Sequence, residues 1–157
     1  DTGNPLWVAE SPFVTLEHVA PYVLMCHVRD TALWRHPLGA VAQWVAVGEG
    51  TIGIDKWTQT FRACCPHINF TLEVITSLAP RVLNFLEPEF WAAYPDTPAA
   101  EFARFLQLVE AGSPYTKPIL AADAATMPPE YRTALAWQQR AKLEQSVRYC
   151  RDVLQIA

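Results

Sequence analysis

Two short apolar runs decide most of what this chain can become. Val23-Leu24-Met25-Cys26-His27-Val28 stops at the charged pair Arg29-Asp30, and Asn69-Phe70-Thr71-Leu72-Glu73-Val74-Ile75 carries a lone carboxylate near its end. Short runs of continuous apolar character, bounded by charge or proline, suit strands covered on both faces. Between them lies a helical pattern, with Asp55 as N-cap, a stripe of Trp57, Phe61 and Cys64, and Pro66 as the stop. Strand, helix and strand in that order predict a right-handed βαβ unit with parallel strands. Two parallel strands alone have open edges and make no stable sheet. The sheet is therefore expected to be completed by chain outside this sequence or by a partner.

The remaining pattern is mostly helical. Ser11-Pro12 opens a helix with Phe13, Leu16 and Ala20 on one face, and Pro21 closes it. Residues 31–50, with Trp34, His36, Pro37, Gly39, Trp44 and the tripeptide Gly48-Glu49-Gly50, read as loop. Thr97-Pro98 starts a helix bearing Phe102, Phe105, Leu106 and Val109, which Gly112 ends. After an extended surface loop, Pro128-Pro129 leads a long helix whose stripe is Leu143, Val147, Cys150 and Leu154. There is no internal repeat and no second domain. The reading is a single partial α/β domain over 1–157, with βα units over 1–80 and a mainly helical tail over 81–157.

Composition narrows the class. Hydrophobic residues make up 51% and charged residues 18%, the balance of a packed domain. The net charge of -4, from 12 basic and 16 acidic residues, gives no footprint for nucleic acid. No apolar run approaches the ~20 residues that cross a bilayer, so no membrane partner is expected. The chain opens on Asp1 without a leader-like segment, and further chain is expected upstream. Four cysteines form no CxxC pair and no zinc spacing, and Cys64 and Cys65 are adjacent. They read as reduced thiols of a cytoplasmic protein.

Three residues carry the candidate chemistry. His27 and Glu73 each interrupt a strand near its C-terminal end, and Asp1 stands just before a loop. By strand alternation Met25, His27 and Arg29 share one face, and Thr71 and Glu73 share another. An inward carboxylate costs several kcal/mol unless it is paired, protonated or metal-bound. A neighbouring imidazole meets that need through a shared cation. Taken singly, the residues have plainer readings: His27 as a hydrogen-bonded core residue and Glu73 as an ion-pair partner of Arg29 or another base, while Asp1 alone carries no signal. Their joint place at strand ends favours a site, because sites of parallel α/β folds lie there.

Asp1-Thr2-Gly3-Asn4, His27-Val28-Arg29-Asp30, Gly48-Glu49-Gly50-Thr51-Ile52 and Leu72-Glu73-Val74, in that order, resemble the xylose-isomerase-like barrel superfamily of sugar phosphate isomerases and epimerases. The motifs cover residues 1 to about 75. The resemblance implies the C-terminal half of a (β/α)8 TIM barrel, the whole of which takes ~250 residues. It implies Asp1, His27 and Glu73 as ligands of a divalent metal, manganese first, with magnesium, cobalt or zinc as alternatives. A further Glu ligand is expected upstream. Where ketose epimerases often carry a substrate-binding His, this chain has Asn4, and where they carry a substrate-binding Arg it has Leu33.

The chemistry so implied is isomerisation or epimerisation of a sugar or sugar phosphate. A proton next to a carbonyl is abstracted, and the metal stabilises the enediolate. Glu73 is then the catalytic carboxylate. Arg29 either steadies an oxyanion or pairs with Asp30 or Glu73. Asn4 takes the place of a substrate-binding residue, and Trp34 and Trp44 either wall a sugar site or pack the loop. Glu49 reads as a loop-shaping residue. Expected partners are a small carbohydrate, the missing barrel half and a second copy of the chain. The rivals are a keto-sugar lyase or dehydratase of the same fold, and a non-catalytic half-barrel binding module. A nuclease of this superfamily would need an Asp-x-His where Ala42-Gln43-Trp44 stands. As it stands the chain is expected to be inactive or incomplete.

Overall fold

In this computed structural model, residues 1–122 and 127–156 are described, so part of the expected 112–129 loop lies outside the described residues. Strand β1 (Cys26–Val28) pairs in parallel with β4 (Phe70–Leu72), with His27 opposite Thr71. Helix α2 (Ile54–Cys64) lies between them in sequence. The parallel pairing expected from the two apolar runs is therefore present. Both strands are shorter than those runs, because Glu73 continues the ladder only through its N–H to the Val28 carbonyl.

Residues 31–50 depart from the loop reading. Strand β2 (Asp30–His36) and strand β3 (Gly39–Val45) form an antiparallel hairpin joined by Pro37-Leu38. A third strand, β5 (Arg81–Leu83), pairs with β3. Proline, glycine and two tryptophans gave this stretch the punctuation of a loop. Its alanines carry little β-propensity. What makes it sheet is burial: Ala32, Leu33, Ala40, Val41, Ala42 and Val45 are all buried, and both faces of the hairpin are covered. The described residues thus form a mixed α/β fold with a two-stranded parallel sheet and a three-stranded antiparallel sheet, and no closed barrel.

The helices cover these sheets. Helix α1 (Pro12–Val19) begins after Ser11 and stops two residues before Pro21, which sits in a 3-10 turn, Ala20–Tyr22. The N-cap of α2 is Gly53, and Asp55 lies inside its first turn. Trp57 and Phe61 are buried as expected; Cys64 is exposed, and its neighbour Cys65 takes the buried place. The Trp57 Nε1–H donates to the Pro12 carbonyl at 3.0 Å and ties α2 to α1. After the short helix α3 (Pro88–Trp91), α4 (Ala99–Ala111) packs on β2 through Phe105 and Val109, and ends at Gly112.

Helix α5 (Pro129–Tyr149) follows a different logic from the apolar stripe expected of it. Leu143 and Val147 are each 42% exposed, and Leu135 and Ser146 are its buried residues. Cys150 and Leu154 are buried, but in a π-helical turn beyond α5. Polar contacts orient the helix instead. Ser146 Oγ accepts the Val47 N–H, and Lys142 and Gln145 reach Glu49. Among the described residues no helix is long and apolar enough to cross a membrane.

Candidate metal and substrate site

The parallel pair brings the three expected ligands together. His27 and Thr71 are register partners, so Glu73, two residues on, shares their face. His27 Nδ1 lies 3.1 Å from Glu73 Oε2. Asp1 joins them from the other side of β1, where the Thr2 N–H donates to the His27 carbonyl at 3.1 Å. Its carboxylate is held by the backbone N–H groups of Gly3, at 2.8 Å, and Asn4, at 2.9 Å, both on Oδ1. One donor atom from each of Asp1, His27 and Glu73 lies within 4.8 Å of the others.

That donor set suits a small divalent cation. One imidazole and two carboxylates are ligands of manganese, zinc or magnesium, with bonds of about 2.0–2.2 Å. The His27 and Glu73 side chains are about one-third exposed, which leaves room for a substrate oxygen.

Arg29 was expected either to touch a substrate or to form an ion pair, and the structure gives it the pair. Only 3% exposed, its guanidinium binds Glu73 Oε1 directly and places Nε 3.5 Å from Asp1 Oδ2. It also lies 4.0 Å from the centre of the Trp44 ring, a cation–π contact. It therefore fixes the two carboxylates and forms no salt bridge with Asp30.

Trp44 and Trp34, expected as one wall, separate. Alternation along β2 and β3 puts Trp44 on the face of Thr31 and Leu33, and Trp34 on the opposite face with Val41. Trp44 instead meets Trp7 edge-on, with ring centroids 5.1 Å apart. These two indoles, with Asn4, Leu78 and Arg81, line an open cleft of about 560 Å³. The cleft adjoins the triad, since Asn4 holds Asp1 and Trp44 covers Arg29. Trp34 is not part of it. Trp7 and Arg81 had no sequence signal: one lies in a 3-10 turn, Asn4–Val8, and the other on a strand of three residues.

Below the site, Asp30 and Glu49 hold the loop after β3. Asp30 is 1% exposed and accepts the N–H groups of Thr31, Gly48 and Gly50 at 2.9–3.0 Å. Burial dominates and raises its carboxyl to about 6, against the lowering effect of those donors. Glycine is needed on both sides of Glu49. A Cβ on Gly50 would stand 2.0 Å from Asp30 Oδ1, and one on Gly48, where φ is 91°, would stand 2.5 Å from the Tyr149 ring.

Glu49 accepts from Gln145, Lys117, Tyr115 and Lys142 at 2.5–2.9 Å. Burial pushes its carboxyl up, but these four donors outweigh it and bring it to about 2. The loop-shaping role expected of Glu49 is what this geometry supports.

The four cysteines are unpaired, and burial pushes the Cys26 thiol up to about 11, the value of an inert core sulfur. No protein-family model, curated protein or solved structure matches the chain.

Proposed function

We propose that this chain carries one side of the active site of a metal-dependent sugar or sugar phosphate isomerase or epimerase, built as the C-terminal half of a (β/α)8 barrel. One observation carries the reading: Asp1, His27 and Glu73 converge at the ends of a parallel strand pair, with donor atoms within 4.8 Å. A divalent cation, manganese first, would polarise a sugar carbonyl there as a Lewis acid. Glu73 takes the proton from the adjacent carbon. Arg29 sets the angle of that carboxylate by holding its second oxygen. The Gly3 and Asn4 N–H groups fix Asp1. The open outer edge of β4 is where the remaining barrel strands would pair. The unpaired thiols accord with a cytoplasmic setting.

A second reading has its own support. Arg29 already bridges Glu73 and Asp1, so the cluster can serve as a purely structural ion network in a binding module.

One experiment separates the two. Manganese binding is measured by electron paramagnetic resonance on the full chain, on His27→Ala and on Glu73→Gln, with melting temperatures on the same samples. The enzyme reading expects one bound manganese, at least tenfold weaker in each variant. Absence of binding, or binding untouched by both substitutions while melting temperature falls, leaves only the structural network.

A further inference from the structure

Asp1 reaches the triad on a stretch of chain that runs beside β1 for a single residue. Backbone groups along a strand alternate between its two edges. The Val28 carbonyl serves β4 through the Glu73 N–H, and the His27 carbonyl serves the other edge through the Thr2 N–H. By that alternation the N–H and C=O of Arg29 also face Thr2. A continuing parallel ladder would give the Arg29 N–H the backbone carbonyl of Thr2. The chain does not continue in this way, and turns off at Gly3 into the 3-10 turn Asn4–Val8.

The Thr2 hydroxyl takes the place of the missing ladder. Its Oγ1 accepts the Arg29 N–H at 2.7 Å and donates its own proton to the Arg29 carbonyl. One side chain thus satisfies both backbone groups of one buried residue. Thr2 is itself fully buried, so the bridge stands away from bulk water. The same segment presses on the stem of Arg29, since a Cβ on Gly3 would stand 3.1 Å from Arg29 Cδ.

Two of the three candidate ligands hang on this bridge. Asp1 is the covalent neighbour of Thr2. Glu73 is held by the Arg29 guanidinium, whose Nε lies 3.5 Å from Asp1 Oδ2. Fixing the backbone of Arg29 fixes where that guanidinium starts, and Trp44 confines it from the other side.

We propose that Thr2 is a positioning residue of the site: by bridging both backbone groups of Arg29, its hydroxyl sets the spacing between the Asp1 carboxylate and the His27–Glu73 pair. Thr2 acts through Arg29 and through the chain, without touching metal or substrate. Its effect on metal rests on the metal reading above, whereas its effect on Arg29 needs no ion. A Thr2 that only fills space behaves differently, because stability then follows its bulk and the site ignores its hydroxyl.

The test compares the full chain with Thr2→Ser, which keeps the hydroxyl, and Thr2→Val, which keeps the shape without it. Thr2→Ala, which loses the hydroxyl without added bulk, runs beside Thr2→Val. Val109→Ala, at a buried position of α4, controls for lost stability alone. Each is measured below its melting temperature, with manganese affinity by electron paramagnetic resonance. The Arg29 Nε–H signal is followed by ¹⁵N NMR in EDTA. Thr2→Val and Thr2→Ala should bind manganese at least tenfold more weakly, the usual cost of losing a group that orients ligands. Their Arg29 Nε–H signal should move and exchange faster with water. Thr2→Ser should stay close to wild type in both readouts, and Val109→Ala should lower the melting temperature and change neither. Wild-type affinity or an unmoved Arg29 signal in the variants lacking the hydroxyl, or a Thr2→Ser as impaired as they are, would overturn the proposal. Absence of manganese binding by the wild type would count against the metal reading alone, and the Arg29 signal would then decide for or against Thr2.

Discussion

Replacing Glu49 by Gln tests how the long C-terminal helix is held. The Glu49 side chain is 6% exposed and receives hydrogen bonds from Lys117, Lys142, Tyr115 and Gln145. Gln keeps the length and one acceptor oxygen. Its amide puts N–H groups against donors, and Lys142, only 15% exposed, loses its counter-charge. The magnitude follows from linkage. A carboxyl near 2 in the folded chain and 4.5 in the unfolded one contributes about 3 kcal/mol. The folded value is depressed, so the contribution is present above about pH 4.5 and is lost as pH falls toward 2. Urea unfolding of wild type and Glu49→Gln at pH 7, 4.5, 3 and 2.5 reads it directly. The difference should be about 2–3 kcal/mol at pH 7 and shrink to under about 1 kcal/mol at pH 2.5. A difference that stays constant across this range would refute the reasoning, because an uncharged role for residue 49 has no such pH dependence.

Two further outcomes test the loop beneath the site. Gly48→Ala places a methyl group into the Tyr149 ring at a φ of 91° and should cost about 1–3 kcal/mol by urea unfolding, with Tyr149→Ala recovering part of the steric share. Asp30 has a raised folded value, so its stabilising share is full below about pH 3.8 and fades as pH rises through 6. Unfolding free energy should therefore fall between pH 4 and 7, and Asp30→Asn should flatten that slope; an unchanged slope in the variant would show that Asp30 does not titrate there.

What could be read from the sequence follows from which forces are local. The parallel pair was legible because continuous apolar runs and a helical period between them are encoded residue by residue. His27 and Glu73 were legible for the same reason, as single polar residues in apolar strands. The hairpin Asp30–Val45 was not, since its alanines and tryptophans become strand only by being covered on both sides. The side of α5 that packs was misread because a stripe of Leu143, Val147, Cys150 and Leu154 looks decisive by period. Lys142, Gln145 and Ser146 instead turn the helix toward a carboxylate almost a hundred residues earlier. Arg81 belongs to the cleft through strand register and Trp7 through a 3-10 turn, and no local pattern carries either.

The guanidinium of Arg29 between two carboxylates has a consequence for how such a centre would load and unload. In small metal-dependent domains the ion is the glue: its removal leaves like charges facing one another, and the domain comes apart. Here the chain brings its own resident cation, sealed under an indole and joined to Glu73. Repulsion between Asp1 and Glu73 is answered before any ion arrives. A metal entering this site would tune reactivity in a frame that already stands, and its departure would cost the chain its chemistry without costing it its shape.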